Sequence, residues 1–319
     1  MNIFAIDHGN DSIKTLNGRF LCGLTKSKHL SPLVDEYIYY NGFYYNLSGG
    51  QEIYSADKTQ NENYLIYTLF AMCQEEAKEK KKETGFSLDK PINLAMGLPP
   101  NDMESYYQKN RDYYMNAMGN DEGLKFNYCG EDKCVKLEDI EIYAQGYAAA
   151  FWAKWMYKVK GANSNNTIPI NLNDYLIVDV GGGTCDIIEM KDNLPVLETL
   201  RTVEIGTIPM CNRISQIVKT KTTYKVERRI IEKAIFGQPT KLPDEALQIV
   251  KEEAQKHADE IIAEVKKAVE DVRLVQVVYI GGGTKLLKKY LENHTEIDKP
   301  IFISDQKANV KGYYRMRMN

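Results

Sequence analysis

Residues 175–186 of this chain read Tyr-Leu-Ile-Val-Asp-Val-Gly-Gly-Gly-Thr-Cys-Asp, and this stretch is the most informative about the fold. Its first half is an apolar run that predicts a buried strand, and the strand closes on the carboxylate of Asp179. The three glycines that follow form a turn that lets the backbone approach another group closely. Backbone amides in such a turn can bind phosphate oxygens. A hairpin turn in an unrelated α/β protein could have the same sequence pattern. Assigning a function therefore requires further motifs elsewhere in the chain.

The same pattern of acid and turn occurs at the start of the chain. Residues 3–7 form an apolar strand that closes on Asp7, and His8 and Gly9 follow it. Asp7-x-Gly9 and Asp179-x-Gly181 each end one strand and begin a returning one, so the order strand, turn, strand, strand, helix occurs twice. This weak internal repeat predicts two similar domains that face each other across a nucleotide. A polar stretch at residues 161–166 predicts the boundary between them.

A third glycine turn, at residues 281–283, follows an apolar strand predicted at residues 275–280. Residues 92–98 predict another buried strand, which Pro99 and Pro100 end. Apolar residues at three- and four-residue steps predict a helix over residues 244–272. An alanine-rich helix is predicted at residues 144–157, and residues 311–318 are interpreted as a terminal helix or tail. Strands alternating with helices predict an α/β fold.

The composition excludes several classes of function. Hydrophobic residues make up 43% and charged residues 27% of the 319 residues, and the formal net charge is −3. An acidic balance argues against direct binding of nucleic acid, because phosphate backbones attract basic surfaces. The sequence has no apolar run of membrane-spanning length and no secretory signal pattern, so we predict a cytoplasmic protein that binds no membrane. We predict free thiols for the six scattered cysteines, because no second cysteine pair or histidine motif completes a zinc site.

Together these motifs resemble those of the actin-like ATPase superfamily, which includes actin, Hsp70 and sugar kinases. Within it, the chain is most similar to the plasmid-segregation actins of the ParM type. Residues 3–10 resemble the first phosphate motif, residues 177–186 the second, and residues 278–284 the adenosine motif. Residues 140–150 and 309–314 resemble the two segments that connect the domains. One glycine turn is weak evidence, but three motifs in the right order are strong evidence.

The resemblance implies an α/β chain with the actin-like two-domain fold, in which two RNase H-like domains flank a nucleotide cleft. Domain I would comprise residues 1–160 with residues 304–319, and domain II residues 161–303. The implied cofactors are ATP and Mg²⁺, and the resemblance leaves open whether GTP is used as well. The residues implied to contact the nucleotide are Gly9, Asn10, Gly181, Gly182, Gly183, Thr184, Gly206, Gly281, Gly282 and Gly283.

Three side chains are implied to act on the metal and the attacking water. Asp7 and Asp179 would hold Mg²⁺ through water, although an acid at a strand end can also simply bond local amides. At the position of Gln145, better-known segregation actins have a glutamate that is preceded by proline. In this chain the residue is a glutamine that follows Ala144, and actin itself also has a glutamine at this position. A glutamine cannot act as a strong base but can orient an attacking water, so we expect slow turnover. The alternative is that Gln145 only caps the start of a helix.

The function expected from the resemblance is a polymerising actin-like ATPase that forms dynamic filaments and hydrolyses ATP slowly after assembly. In the family such filaments segregate plasmids, and the implied partners are other copies of the chain and a plasmid-DNA-binding adaptor of the ParR type. A cell-shape or division actin is the nearest alternative. A small-molecule kinase of the same superfamily is a weaker alternative, because Gln145 is a poor base.

Overall fold

The computed structural model describes residues 1–49, 55–79, 86–161 and 166–319. Within these ranges the chain forms sixteen strands: β1 (Ile3–His8), β2 (Ser12–Thr15), β3 (Arg19–Leu21), β4 (Leu24–Ser27), β5 (Ile38–Tyr40), β6 (Phe43–Leu47), β7 (Ile92–Leu98), β8 (Leu124–Tyr128), β9 (Glu131–Val135), β10 (Leu137–Ala144), β11 (Tyr175–Val180), β12 (Cys185–Lys191), β13 (Leu194–Pro195), β14 (Arg201–Val203), β15 (Gln276–Ile280) and β16 (Ile301–Ile303). The same ranges hold eight α-helices: α1 (Asn63–Glu79), α2 (Met103–Met118), α3 (Tyr147–Lys160), α4 (Thr207–Thr222), α5 (Arg228–Ile235), α6 (Asp244–Lys266), α7 (Gly282–Leu291) and α8 (Ala308–Met318).

The chain divides into two compact units. Unit 1 comprises Met1–Ala148 together with Asn309–Asn319, and unit 2 comprises Ala149–Ala308. The domain limits expected from the sequence, 1–160 with 304–319 and 161–303, stay a prediction. Residues 162–165 of the predicted linker lie outside the described residues.

Unit 1 is built on a five-stranded sheet in the order β10-β7-β1-β2-β3. β7 runs parallel to β1 and β10 runs parallel to β7, whereas β2 returns antiparallel to β1. Every residue of β1 and of β7 is buried, as is typical of central strands that are covered on both faces. A second, antiparallel sheet in the order β4-β6-β5-β8-β9 belongs to the same unit.

Unit 2 repeats the topology of the first sheet of unit 1. Its strand order is β13-β12-β11-β15-β16, and β14 also pairs with β12. β12 runs antiparallel to β11, while β15 runs parallel to β11 and β16 parallel to β15. Strands β11, β12, β15 and β16 therefore correspond to β1, β2, β7 and β10. The predicted internal repeat is confirmed, and with it the α/β class of both halves.

Helix α6 shows how unit 2 forms its core. Its apolar positions recur at three- and four-residue steps from Ala246 to Val265, and this stripe is buried against α4, α5 and α7. The helix ends at Lys266 rather than at the predicted residue 272, and a separate 3₁₀ turn spans Val272–Leu274. The Asp271 side chain caps that turn by accepting a hydrogen bond from Arg273 N–H at 3.0 Å.

Helix α3 begins three residues later than predicted, and the shift matters for the site. Residues 140–144 continue strand β10, and Gly146 then adopts a φ of +72° that turns the chain into the helix. Gln145 therefore lies in a strand-to-helix turn rather than in the helix. Among the described residues, no helix combines the length and apolar character needed to cross a membrane.

Candidate functional site

The turn between β1 and β2 holds the first predicted acid, Asp7, whose side chain is buried. Asp7 lies directly opposite Lys14 in the antiparallel pair, and Lys14 Nζ is 2.9 Å from Asp7 Oδ2. The ion pair follows from the register, because residues directly opposite each other have side chains on the same face. A Cβ on Gly9 would lie 2.8 Å from the Ser12 carbonyl oxygen, so glycine lets the turn close.

Sequence reasoning did not single out Lys14. The signal that could have found it is the length of the turn. Once β2 is placed at Ser12, the register sets residue 14 opposite residue 7. Basic residues in short strands are common, however, so the lysine becomes notable only when its partner across the hairpin is known.

Buried side chains hold the turn between β1 and β2 in place. His8 Nε2 is 2.9 Å from Thr68 Oγ1, and Thr68 Oγ1 donates its one hydrogen to the Tyr64 carbonyl at 2.8 Å, so His8 Nε2 must be the donor in the first contact. Burial, followed by the nearby charge of Lys58, lowers the pKa of His8 to about 3. The imidazole is therefore neutral at physiological pH. Lys58 Nζ donates to the His8 carbonyl at 2.5 Å, which fixes the backbone between Asp7 and Gly9.

The second predicted turn, residues 181–184, has its carbonyl groups bound by the start of α4. Gly181 N–H closes the turn by donating to the Thr184 carbonyl at 2.8 Å. Three further N–H groups donate to the three glycine carbonyls: Gly206 to Gly183 at 3.1 Å, Thr207 to Gly181 at 3.1 Å and Ile208 to Gly182 at 2.8 Å.

Because the carbonyl groups of residues 181–184 already accept hydrogen bonds, the groups of this turn that remain for a ligand are backbone amides. Within the described part of the chain, the N–H groups of Gly182 and Gly183 donate to no acceptor. A Cβ on Gly206 would lie 2.3 Å from the Gly182 carbonyl oxygen, so the close approach of α4 requires glycine at position 206. Consecutive amides without internal partners are the arrangement that binds phosphate oxygens.

The second predicted acid, Asp179, differs from Asp7 in what it faces. Its directly opposite residue in β12 is Asp186, where unit 1 has Lys14. Both aspartates are buried, and Thr202 Oγ1 donates to Asp186 Oδ1 at 2.6 Å, so Asp186 bonds within the sheet. Burial raises the pKa of the adjacent Cys185 thiol, and the two carboxylates add to the rise. Like charges directly opposite each other destabilise a sheet, and a bound cation would relieve the repulsion.

Two of the three glycines in the third turn are required by packing against the end of β11. Gly281 has a φ of +94°, and a Cβ there would lie 2.2 Å from Asp179 Oδ1. A Cβ on Gly283 would lie 2.6 Å from Val180 Cγ1. Gly282 differs, since a Cβ there would meet Gln306 Nε2 at an ordinary 3.9 Å. Packing within unit 2 therefore does not explain Gly282, and its implied contact with the adenosine stays a prediction.

The structure brings Gln145 to Asp7. Gln145 N–H donates to the Leu98 carbonyl at 2.9 Å, and Gln145 Nε2 donates to Asp7 Oδ1 at 3.2 Å. Asp7 thus receives Lys14 on one carboxylate oxygen and Gln145 on the other. The hydrogen bond of the Gln145 amide nitrogen goes to Asp7, and the helix α3 begins only at Tyr147.

These residues fit a nucleotide with magnesium. Mg²⁺ prefers oxygen ligands and usually keeps several waters, binding through one or two carboxylates and substrate phosphates. Asp7 and Asp179 each end a central strand beside a glycine turn, where they can bond such waters. Among the described residues, no group of three or more His, Cys, Asp or Glu side chains could hold a metal alone.

Each unit thus collects its own share of the predicted site residues. Unit 1 brings together Asp7, Gly9, Asn10 and Gln145, and Asn10 Oδ1 accepts a hydrogen bond from Tyr64 OH at 3.3 Å. Unit 2 brings together the end of β11, both glycine turns and the start of α4. The roles of these residues in binding and catalysis stay a prediction.

Comparison with known proteins bears on the fold. Residues 177–293 match the model of the C-terminal domain of the MreB-like archaeal actin homologues. No curated protein matches the chain by sequence. Solved structures match it throughout: the archaeal actin homologue Ta0583 in complex with ADP (17% identity, 100% of this chain and 99% of that chain, TM-score 0.70), Bacillus thuringiensis ParM with ATP (15%, 100% and 100%, 0.66) and the Alp12 filament structure (15%, 100% and 99%, 0.63). As its motifs predicted, the protein has the actin-like fold over its whole length.

Proposed function

We propose that this protein is a polymerising ATPase that binds ATP with Mg²⁺, assembles into dynamic filaments and hydrolyses the ATP slowly after assembly. The observation that carries the proposal is one chemical design present in both units. Each has a buried acid at the end of its central strand, Asp7 or Asp179, followed by a glycine turn. Proteins of the same fold that were solved with ADP, with ATP and as a filament support it.

The proposed phosphate contacts come from backbone amides and one cation. The amides of Gly182 and Gly183 would bind phosphate oxygens, and Lys14 would add positive charge beside Asp7. When bound, Mg²⁺ would neutralise part of the phosphate charge. Asp7 and Asp179 would accept hydrogen bonds from the waters around it. Whether GTP serves as well as ATP is decided by the assembly experiment below.

Gln145 is the proposed water-orienting residue. Its Nε2 is held by Asp7, so its Oε1 can accept a hydrogen bond from the attacking water. An amide does not take up a proton at neutral pH, so the water is positioned without a strong general base. Slow hydrolysis follows, as for the glutamine that orients water in GTPases.

Assembly tests the function directly. Purified protein should sediment and scatter light with ATP and Mg²⁺, remain unassembled without nucleotide, and lose its polymer as ATP is consumed. With a non-hydrolysable ATP analogue the polymer should persist, because loss of the γ-phosphate is what weakens the contacts. A parallel series with GTP measures nucleotide preference. Absence of assembly with every nucleotide would contradict the filament proposal.

The variant Gln145→Ala separates hydrolysis from assembly. We expect phosphate release to slow by about 100-fold or more, the usual effect of losing a positioned group, while assembly with ATP is retained. Polymer lifetime should lengthen in proportion, since decay depends on hydrolysis. Gln248→Ala, on the exposed side of α6, is the control and should match the wild type. Unchanged phosphate release in Gln145→Ala would remove this residue from the reaction.

We further propose that the filaments segregate a plasmid in the cytoplasm through a DNA-binding adaptor of the ParR type. The net charge of −3 suits this division of labour, because DNA contact would be left to a partner. A cell-shape or division actin is the second candidate. Deleting the gene decides between them: faster loss of the replicon that carries it supports segregation, and altered cell shape with a stable replicon supports the second candidate.

A further inference from the structure

We propose that Asn309 is a positioning residue that fixes Gln145 for its work on the attacking water. The inference rests on the proposed role of Gln145 and adds to it a residue from far along the chain. Asn309 lies in the first turn of α8, and its Oδ1 accepts a hydrogen bond from Gly146 N–H at 2.9 Å. Gly146 directly follows Gln145, so the contact acts on the turn that carries the amide side chain.

The turn around Gln145 has each of its backbone positions set by a hydrogen bond. Gln145 N–H donates to the Leu98 carbonyl at 2.9 Å, and the Gln145 carbonyl accepts from Tyr147 N–H at 2.8 Å. Gly146, with a φ of +72°, carries the change of direction between strand and helix. The first two bonds come from backbone groups and cannot be removed by a side-chain substitution. The third, from Asn309, can be.

Helix α8 is itself placed firmly enough to act as a reference for this turn. A Cβ on Gly312 would lie 2.0 Å from the Ala148 carbonyl oxygen, so α8 and the start of α3 touch backbone to backbone. The Tyr313 ring covers Gly97 of β7, where a Cβ would lie 2.0 Å from the Tyr313 hydroxyl. At the far end of α8, Arg317 donates to Asp139 Oδ2 at 2.6 Å.

Loss of the Asn309 acceptor should therefore affect orientation more than binding. A backbone N–H that loses its partner in a partly buried place must find another, and the turn would shift to do so. Displacement of a positioned group by about 1 Å can cost a large factor in rate. The phosphate-binding amides of unit 2 are part of a different segment, so ATP affinity should change little.

The test compares two substitutions of similar size. Asn309→Leu removes the acceptor, whereas Asn309→Asp keeps an oxygen there and suits the start of a helix, where negative charge is favourable. We expect Asn309→Leu to release phosphate about tenfold more slowly with ATP affinity within about twofold of wild type, and Asn309→Asp to behave like wild type. Met318→Ala, an exposed substitution in the same helix, is the control.

A second readout needs no nucleotide. Hydrogen–deuterium exchange of the peptide that contains Gly146 should be faster in Asn309→Leu than in the wild type and Asn309→Asp. Equal exchange in all three proteins, or wild-type phosphate release by a folded Asn309→Leu, would overturn the inference. Asn309→Ala replaces the leucine variant, with the same expectations, if the latter does not fold. A wild type that hydrolyses no ATP refutes the proposed function, and the exchange comparison then decides the Asn309 contact alone.

Discussion

Replacing Asp179 by asparagine is expected to weaken magnesium-dependent ATP binding by about 100-fold while leaving the nucleotide-free protein at least as stable as the wild type. The loss in affinity follows from removing a charged acceptor for metal-bound water, and hydrogen bonds to charged groups contribute about 1.5–3 kcal/mol each. Stability should not fall, because the change removes one of two buried carboxylates that face each other across β11 and β12. Calorimetric titration with and without Mg²⁺, together with thermal unfolding, measures both effects.

The Asp179 prediction can be compared with the equivalent substitution in unit 1, at Asp7. Asp7→Asn should cost unit 1 the ion pair with Lys14 and should lower the melting temperature, in contrast to Asp179→Asn. Asp192→Asn is the matched surface control, since Asp192 lies in the hairpin turn of unit 2 with a φ of +51° that asparagine also accepts. Tight magnesium-dependent binding by Asp179→Asn would contradict the assigned role. Equal stability changes at Asp7 and Asp179 would contradict the charge argument.

Replacing Gly281 by alanine is expected to destabilise unit 2 by about 3 kcal/mol or more. Its φ of +94° is strained for any L side chain, and the new Cβ would meet Asp179 Oδ1 at 2.2 Å and the Val180 carbonyl oxygen at 2.6 Å. The backbone at the end of β11 would have to move, taking Asp179 with it. Denaturant unfolding followed by circular dichroism measures the change in free energy of unfolding.

The neighbouring residue supplies the matched control for this substitution. Gly282→Ala meets no atom closer than 3.9 Å and lies in the first turn of α7, where alanine is a better helix former than glycine. We expect a change in stability within about 0.5 kcal/mol and a loss of ATP affinity, since the new methyl group would occupy the proposed adenosine contact. Similar unfolding free energies for the two variants would contradict the packing argument, and unchanged ATP affinity in Gly282→Ala would remove that residue from the site.

The sequence predicts the strands of this fold better than the ends of its helices. Residues 92–98 are predicted as a strand from their continuous apolar run, and β7 spans the same residues. Helix α6 is predicted to extend to residue 272 because apolar spacing persists at Val269 and Val272, but it ends at Lys266. The Asp271 cap on the 3₁₀ turn is a local contact that the spacing does not reveal. Glycine with positive φ at position 146 is likewise visible only in the backbone.

In the candidate site, the sequence predicts features that depend on neighbouring residues but not contacts between residues that are far apart in the chain. Turns that depend on neighbouring residues, such as residues 7–10 and 181–184, are readable as motifs. The pairing of Asp7 with Lys14 depends on register, and that of Gly146 with Asn309 joins residues 163 positions apart. The motif at residues 281–283 is also readable, but its glycines look alike in the sequence. Only the packing against β11 separates Gly281 and Gly283 from Gly282.

The discontinuity of unit 1 has a consequence for the order of folding. The described strands of unit 2 lie within the single stretch 175–303, whereas unit 1 needs α8 in addition to residues 1–148. The turn that carries Gln145 waits for Asn309, and Gly97 waits for the ring of Tyr313. Domains generally fold as units, and contacts of long sequence separation form late. A refolding chain should therefore complete the turn that carries Gln145 after the glycine turn at residues 181–184, so the proposed competence to hydrolyse ATP would be acquired last.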